Sequence, residues 1–206
     1  CGTCARCQLG IETLCENPAE APVAGGGGGL GLDGGMADLM LVPNARQLVP
    51  LPDGLEPVTA APLTDAGLTP YHAVRRSWPK LTPTSTAVVI GVGGLGHLGV
   101  QILRATTGAR IIAVDMRDEA LRLAVESGAD QTVKAGDTAA AEIREATKGL
   151  GADVVLDFVG SDITLALAAQ VVRNMGDITI VGIGGGTLTT GFFQMPYDVS
   201  VQTTYW

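Results

Sequence analysis

From Thr86 onward, short apolar runs alternate with stretches whose apolar residues recur at helical spacing. The runs Thr86–Ile90, Ile111–Val114, Gln131–Val133, Val154–Phe158, Ile178–Val181 and Val199–Thr203 are too short for helices. They are bounded by Gly, Asp and Ser, and they predict six strands. Between them, Leu95–Thr106 predicts a helix with Leu95, Leu98, Ile102 and Leu103 on one face. Asp118–Ser127 predicts a second, with Leu121, Ala124 and Val125 inward and Gly128 as its stop. A third runs through Ala139, Ile143 and Ala146, and a fourth is marked by Ile163, Ala166, Leu167, Gln170 and Val171. Strands separated by single helices imply an α/β fold, a parallel sheet covered on both faces. Six such strands in two halves predict a doubly wound, dinucleotide-binding (Rossmann) sheet, whose ligands lie at the carboxyl ends of the strands.

The first 80 residues have a different texture. They hold a Gly25–Gly29 run, seven prolines from Pro43 to Pro79 and all four cysteines. The glycine run follows no strand and reads as a loop, whereas Met36–Val42 predicts a strand. Two domains are expected, residues 1–80 and 81–206. The chain opens on Cys1 and stops at Trp206 inside an apolar run, so both ends read as cuts in a longer polypeptide.

Composition narrows the chemistry. With 46% apolar and 17% charged residues the chain can fill a sizeable core. A net charge of −8 offers no basic face to release counterions from phosphates, which excludes nucleic acid as a partner. Leu81–Leu103 lacks any charged side chain and is long enough to span a membrane. Its five glycines and His97 favour a buried strand, a turn and a packed helix instead. No membrane partner is therefore expected, and a cytoplasmic location is the default.

Gly91-Val92-Gly93-Gly94-Leu95-Gly96 fits G-x-G-x-x-G, and it closes a predicted strand and opens a predicted helix. Gly91 permits the turn, Gly93 lets backbone approach a pyrophosphate, and Gly96 lets helix and strand pack closely. Asp115 ends the next strand, nineteen residues after Gly96. A carboxylate there accepts hydrogen bonds from the adenosine ribose and repels a 2′-phosphate, which favours NAD over NADP. Arg117 is the counter-argument, since an arginine near this point can pair with that phosphate. The alternative is a glycine turn in an unrelated α/β protein, with Asp115 capping a helix.

Cys1, Cys4, Cys7 and Cys15 follow C-x2-C-x2-C-x7-C, a density that suits a closed tetrahedral thiolate zinc site. Disulfides and unbound thiols are the alternatives, while an iron–sulfur run would require a shorter last interval. Four thiolates leave no open position for substrate, so this zinc would be structural.

Together the segments CGTCARCQLGIETLC, GGMADLMLVP, AAPLTDAGLTPYHA, VVIGVGGLGHLGVQIL, DVVLDFVG and ITIVGIGGG resemble the zinc-dependent medium-chain alcohol dehydrogenases over essentially the whole chain. The resemblance implies a structural zinc on the four cysteines and a second, catalytic zinc. Asp65 stands where the family usually has a cysteine ligand of that catalytic zinc, as in bacterial enzymes acting on secondary alcohols; otherwise it is a helix or turn cap. Thr69 matches a position touching the nicotinamide end of NAD. Phe158 joins the cofactor site, and Val181, Gly182 and Ile183 would present backbone to the same ring. Tyr205 and Trp206 would line the substrate pocket. Residues 1–80 would be the remnant of a mostly β, GroES-like catalytic domain with its zinc lobe. The family's other catalytic-zinc ligands, a cysteine and a histidine, have no counterpart here. His97, one residue past the last motif glycine, and His72 are not expected to transfer protons.

The resemblance implies an oxidoreductase that interconverts secondary alcohols with ketones, or alcohols with aldehydes, using NAD, with zinc as Lewis acid and a homo-oligomeric assembly. The truncated chain alone would be inactive. The alternatives are a non-catalytic NAD- and zinc-binding fragment, or a zinc-free quinone or enone reductase, which the cysteine lobe argues against.

Overall fold

A computed structural model describes residues 1–17, 27–29, 31–42, 45 and 48–204. The chain divides into two compact units, Cys1–Pro57 and Val58–Trp206.

In the first unit a short helix, Ala5–Gln8, and a 3-10 turn, Glu12–Leu14, fold the four cysteines together. Within the glycine-rich segment, Gly27–Gly28 and Gly31–Leu32 form a two-residue parallel pair where a plain loop is expected. The expected strand at Met36–Val42 does not form; the segment is bends and irregular chain. Met36, Leu39 and Leu41 are exposed there. Alternating or apolar character makes a strand only when a neighbour takes up its backbone groups.

The second unit is the doubly wound α/β sheet. Its strands are β1 (Thr86–Ile90), β2 (Arg110–Asp115), β3 (Gln131–Lys134), β4 (Ala152–Asp157), β5 (Val172–Ile180) and β6 (Ser200–Thr203), all parallel. They lie in the order β3-β2-β1-β4-β5-β6, the 3-2-1-4-5-6 arrangement of dinucleotide-binding sheets. The helices are α1 (Leu68–Arg76), α2 (Gly96–Thr106), α3 (Asp118–Glu126), α4 (Ala139–Ala146) and α5 (Asp162–Val171).

Strand alternation sorts the core into two layers. Ala87, Val89, Ile111, Ala113, Val154 and Leu156 face one side, where Ala73 and Val74 of α1, Val100 and Leu103 of α2, and Ala120 and Ala124 of α3 cover them. Val88, Ile90, Ile112, Val114, Val155 and Ile178 face the other, under Ala139 and Ile143 of α4 and Ala168 and Val171 of α5. Burying one such side chain is worth about 1.5–3 kcal/mol, so the central strands carry much of the stability. Because α1 and Leu81 belong to the first layer, the packing unit begins upstream of residue 81.

Several helix faces differ from expectation. α2 turns Gly96, Gly99, Val100 and Leu103 inward, while Leu98 and Ile102 are only half-buried. In α3, Ala120 and Ala124 face the core and Val125 is exposed. In α5, Leu165, Ala168 and Val171 are buried and Ile163 points to solvent. That helix is apolar nearly all round, so its phase is set by the sheet and not by its own pattern. β5 starts at Val172, six residues early, and shifts register between its pairings with Ala152 and Val154. Met175 takes a left-handed φ of 62° at the irregularity.

Candidate functional site

The carboxyl ends of β1, β2, β4 and β5 meet at one edge of the sheet, and most of the expected site residues are there. Gly91 leaves β1 with φ 87°, a conformation that disfavours other residues, and a Cβ on it would lie 2.5 Å from Val159 Cγ2. A Cβ on Gly96 would lie 1.8 Å from the Gly91 carbonyl oxygen, so only glycine lets α2 start this close to the strand. Gly93 and Gly94 show the opposite: both are exposed, and a Cβ on either would meet nothing within 4 Å. The N–H groups of Gly93, Gly94 and Leu95 have no acceptor among the described residues. Free amides at the start of an eleven-residue helix, bordered by open space, form a cradle that fits a diphosphate.

Asp115 faces the same turn. Its side chain is 8% exposed. Oδ2 accepts from the Val92 N–H at 2.8 Å, and Oδ1 accepts from the Arg117 N–H at 2.9 Å and from Arg117 Nε at 3.3 Å. Burial pushes the carboxyl upward. The Arg117 and Val92 amides and the Arg117 guanidinium outweigh it, holding the group below its ordinary range. The residue is therefore an anion fixed against the glycine turn. The N-cap of α3 is Arg117, with no side-chain cap, so Asp115 is not serving as that helix's cap.

Phe158 follows β4, and its ring packs on α2: a Cβ on Gly99 would lie 2.9 Å from Phe158 Cζ. Beyond β5, Val181 is buried in the core layer and Ile183 is fully exposed. Gly182 is pressed against the β4 loop, where a Cβ would sit 2.2 Å from the Val159 carbonyl carbon. Tyr205 and Trp206 lie outside the described residues.

Asp65 is exposed and follows the 3-10 turn Ala61–Thr64. Its Oδ1 accepts from the Thr69 hydroxyl at 3.0 Å, and its carbonyl accepts from the Thr69 N–H at 2.9 Å. Asp65 is the C-cap of that 3-10 turn through its backbone, while the N-cap of α1 is Gly67, so the carboxylate itself caps no helix N-terminus. Among the described residues Asp65 belongs to no group of three or more metal-binding side chains, and one carboxylate does not fit a catalytic zinc on its own. His97 Nδ1 is 2.7 Å from the Gly93 carbonyl, and His72 is half-buried on α1.

The cysteines are a separate centre in the first unit. The Sγ atoms of Cys1, Cys4, Cys7 and Cys15 all lie within 4.8 Å of one another, with Cys1–Cys15 at 3.4 Å and Cys1–Cys7 at 3.8 Å. Zinc–thiolate bonds of about 2.3 Å put the corners of a tetrahedron about 3.8 Å apart, so the four sulfurs fit one zinc. All four are free of disulfides. Backbone hydrogen bonding at Glu16, then at Cys7, brings the Cys4 thiol down to about 7.

Two carboxylates stand out only in three dimensions. Asp157 ends β4 fully buried, and Asp177 in β5 accepts from Lys80 Nζ and from Ser77 Oγ. An acid inside an apolar strand is the one signal in the sequence that marks either.

This arrangement defines the class: a dinucleotide-binding sheet joined in one chain to a four-cysteine metal lobe. The family pattern for zinc-binding dehydrogenases matches residues 94–205. An NAD-dependent alcohol dehydrogenase of Sulfurisphaera tokodaii is 41% identical over 91% of this chain and 52% of its own length. Its counterpart in Saccharolobus solfataricus is 39% identical over the same shares. The crystal structure of the alcohol dehydrogenase from Aeropyrum pernix superposes with a TM-score of 0.86 at 36% identity, covering 98% of this chain and 58% of that one. The D-arabinose dehydrogenase of Sulfolobus solfataricus gives 0.85 at 29% identity, over 100% and 62%. The chain belongs to the zinc-binding dehydrogenase family, and it spans about half the length of the curated relatives it matches.

Proposed function

We propose that this chain forms the NAD-binding part of an oxidoreductase that interconverts alcohols, secondary ones above all, with ketones or aldehydes. The observation that carries the reading is Asp115, an anion held against a glycine turn with free amides. The amides of Gly93, Gly94 and Leu95 bind the diphosphate. Asp115 orients the adenosine ribose and repels a 2′-phosphate, so NAD is preferred to NADP. Val181, Gly182 and Ile183 offer backbone to the nicotinamide, with Thr69 near the same end and Phe158 backing the cofactor from α2. The bound nicotinamide supplies a hydride acceptor or donor. The four cysteines hold a structural zinc. Asp65 is the candidate ligand of a catalytic zinc, although among the described residues it joins no group of three or more metal-binding side chains.

The relatives named NAD-dependent alcohol dehydrogenases support the substrate class. The four free thiols suit a reducing compartment, which supports a cytoplasmic location. No helix among the described residues is long and apolar enough to cross a membrane. Exposed Phe192, Phe193 and Tyr197, in the segment that leads into edge strand β6, support assembly into a homo-oligomer. Residues 1–80 are assigned to the catalytic-domain side of the enzyme, with α1 packed on the first layer of the sheet.

The test is an assay of the complete polypeptide carrying this chain on 2-propanol and on 1-propanol with each cofactor. NAD-dependent oxidation that favours 2-propanol is the expected result. NADP dependence, or no alcohol oxidation, rejects the reading. A second reading, NAD and zinc binding without turnover, is favoured by the cysteine cluster's being the one group of three or more metal-binding side chains among the described residues. One zinc per polypeptide and no turnover would establish it.

A further inference from the structure

Asp157 has no exposed surface, and it sits at the end of a strand where β1 and β5 place Ile90 and Ile180. Burying a carboxylate is costly, and its Oδ2 finds no hydrogen-bond partner among the described residues. An apolar side chain would serve the core better, so the acid has another task.

Its contacts show the task. Oδ1 accepts from the N–H groups of Val159 at 2.8 Å and Gly160 at 3.0 Å. The Asp157 carbonyl accepts from those of Val181 at 2.8 Å and Gly182 at 3.0 Å. The two loops then knit together: Gly184 N–H donates to the Val159 carbonyl at 3.0 Å, and Gly186 N–H to the Gly160 carbonyl at 2.8 Å. Gly160 has φ 70°, and a Cβ on it would lie 2.2 Å from the Gly182 carbonyl oxygen, so the loops touch backbone to backbone. On its other flank Val159 abuts Gly91 of the phosphate turn.

We infer that Asp157 is a positioning residue: by fixing Val159 and Gly160, it sets where the Val181–Ile183 backbone lies relative to the Gly91–Gly96 turn. It thereby sets the span between the two ends of a bound NAD. The inference rests on the reading of Val181–Ile183 as facing the nicotinamide. Asp157 itself is wholly buried and offers no surface to a cofactor.

The test compares NAD with ADP, which lacks the nicotinamide half, on the complete polypeptide. Asp157→Ala should raise the Kd for NAD about tenfold and lower kcat, while the Kd for ADP stays within about twofold. Asp157→Asn keeps an acceptor for both amides and should recover part of the loss. If Asp157→Ala does not fold, Gly182→Ala drives the same loops apart and should give the same NAD-over-ADP split. Equal losses for NAD and ADP, or no loss for either, overturn the inference and leave Asp157 a structural residue. Unmutated protein that binds neither nucleotide removes the NAD reading instead, a failure seen before any substitution is made.

Discussion

The glycine turn makes a prediction in which two neighbouring substitutions fail differently. In Gly96→Ala the new Cβ would sit 1.8 Å from the Gly91 carbonyl oxygen and 2.9 Å from its carbon, where real contacts do not fall below 3.0 Å. Both atoms are backbone, so no side chain can swing aside. The start of α2 must back away from β1 by about 1 Å, pulling on Val100 and Leu103, which are wholly buried. Overpacking of this kind costs about 2 kcal/mol. For a unit of this size that lowers Tm by about 4–8 °C. The displaced amides should also weaken NAD binding at least about tenfold. Gly93→Ala is the contrast. Its Cβ meets nothing within 4 Å and its φ is not positive, so Tm should hold. The methyl instead occupies the space where a diphosphate must approach, and NAD binding should fall just as far. Thermal denaturation and a fluorescence titration with NAD on both variants make the comparison. A stable Gly96→Ala protein, or a Gly93→Ala protein that binds NAD normally, would refute the reasoning.

Three further outcomes concern the cysteine lobe and two buried acids. Chelation should remove one zinc per chain and unfold the Ala5–Gln8 turn of the cysteine lobe while the sheet unit keeps its melting temperature, checked by metal analysis and limited proteolysis. Asp115 lies below its ordinary range in the folded state, so its contribution to stability is complete above the unfolded value of about 4 and is lost as pH falls through the folded value. Urea titrations between pH 3 and pH 6 should therefore show a shallower acid loss in Asp115→Asn than in the parent. Lys80 donates to the Met175 carbonyl at 2.6 Å and pairs with Asp177, whose side chain is 10% exposed. Lys80→Met leaves that acid without its cation and should cost about 2 kcal/mol, with part recovered when Asp177→Asn is added, as a double-mutant cycle would show.

The parts of this fold that local physics decides were legible in the chain. β1 matches its expected bounds because a threonine and four apolar residues followed by glycine leave little else to form. The G-x-G-x-x-G turn and Asp115 were legible for a related reason: each residue acts on its own backbone or the strand beside it. What depends on distant partners was not. α2 presents its glycines inward because the Phe158 ring, from a loop some sixty residues on, needs the room at Gly99. The apolar spacing places Leu103 in the core and Ile102 against it, but leaves the Gly96 and Gly99 face unseen. Asp157 and Asp177 read as stray acids in apolar runs until the amides of Val159 and Gly160, or the ammonium of Lys80, are brought to them. The same distinction bears on the chemistry. The glycines that shape the turn can be found by spacing alone, because at Gly91 and Gly96 no other residue fits. Residues that hold such backbone in place sit behind it, on another strand, and their sequence signal is no more than a charge where the core should be.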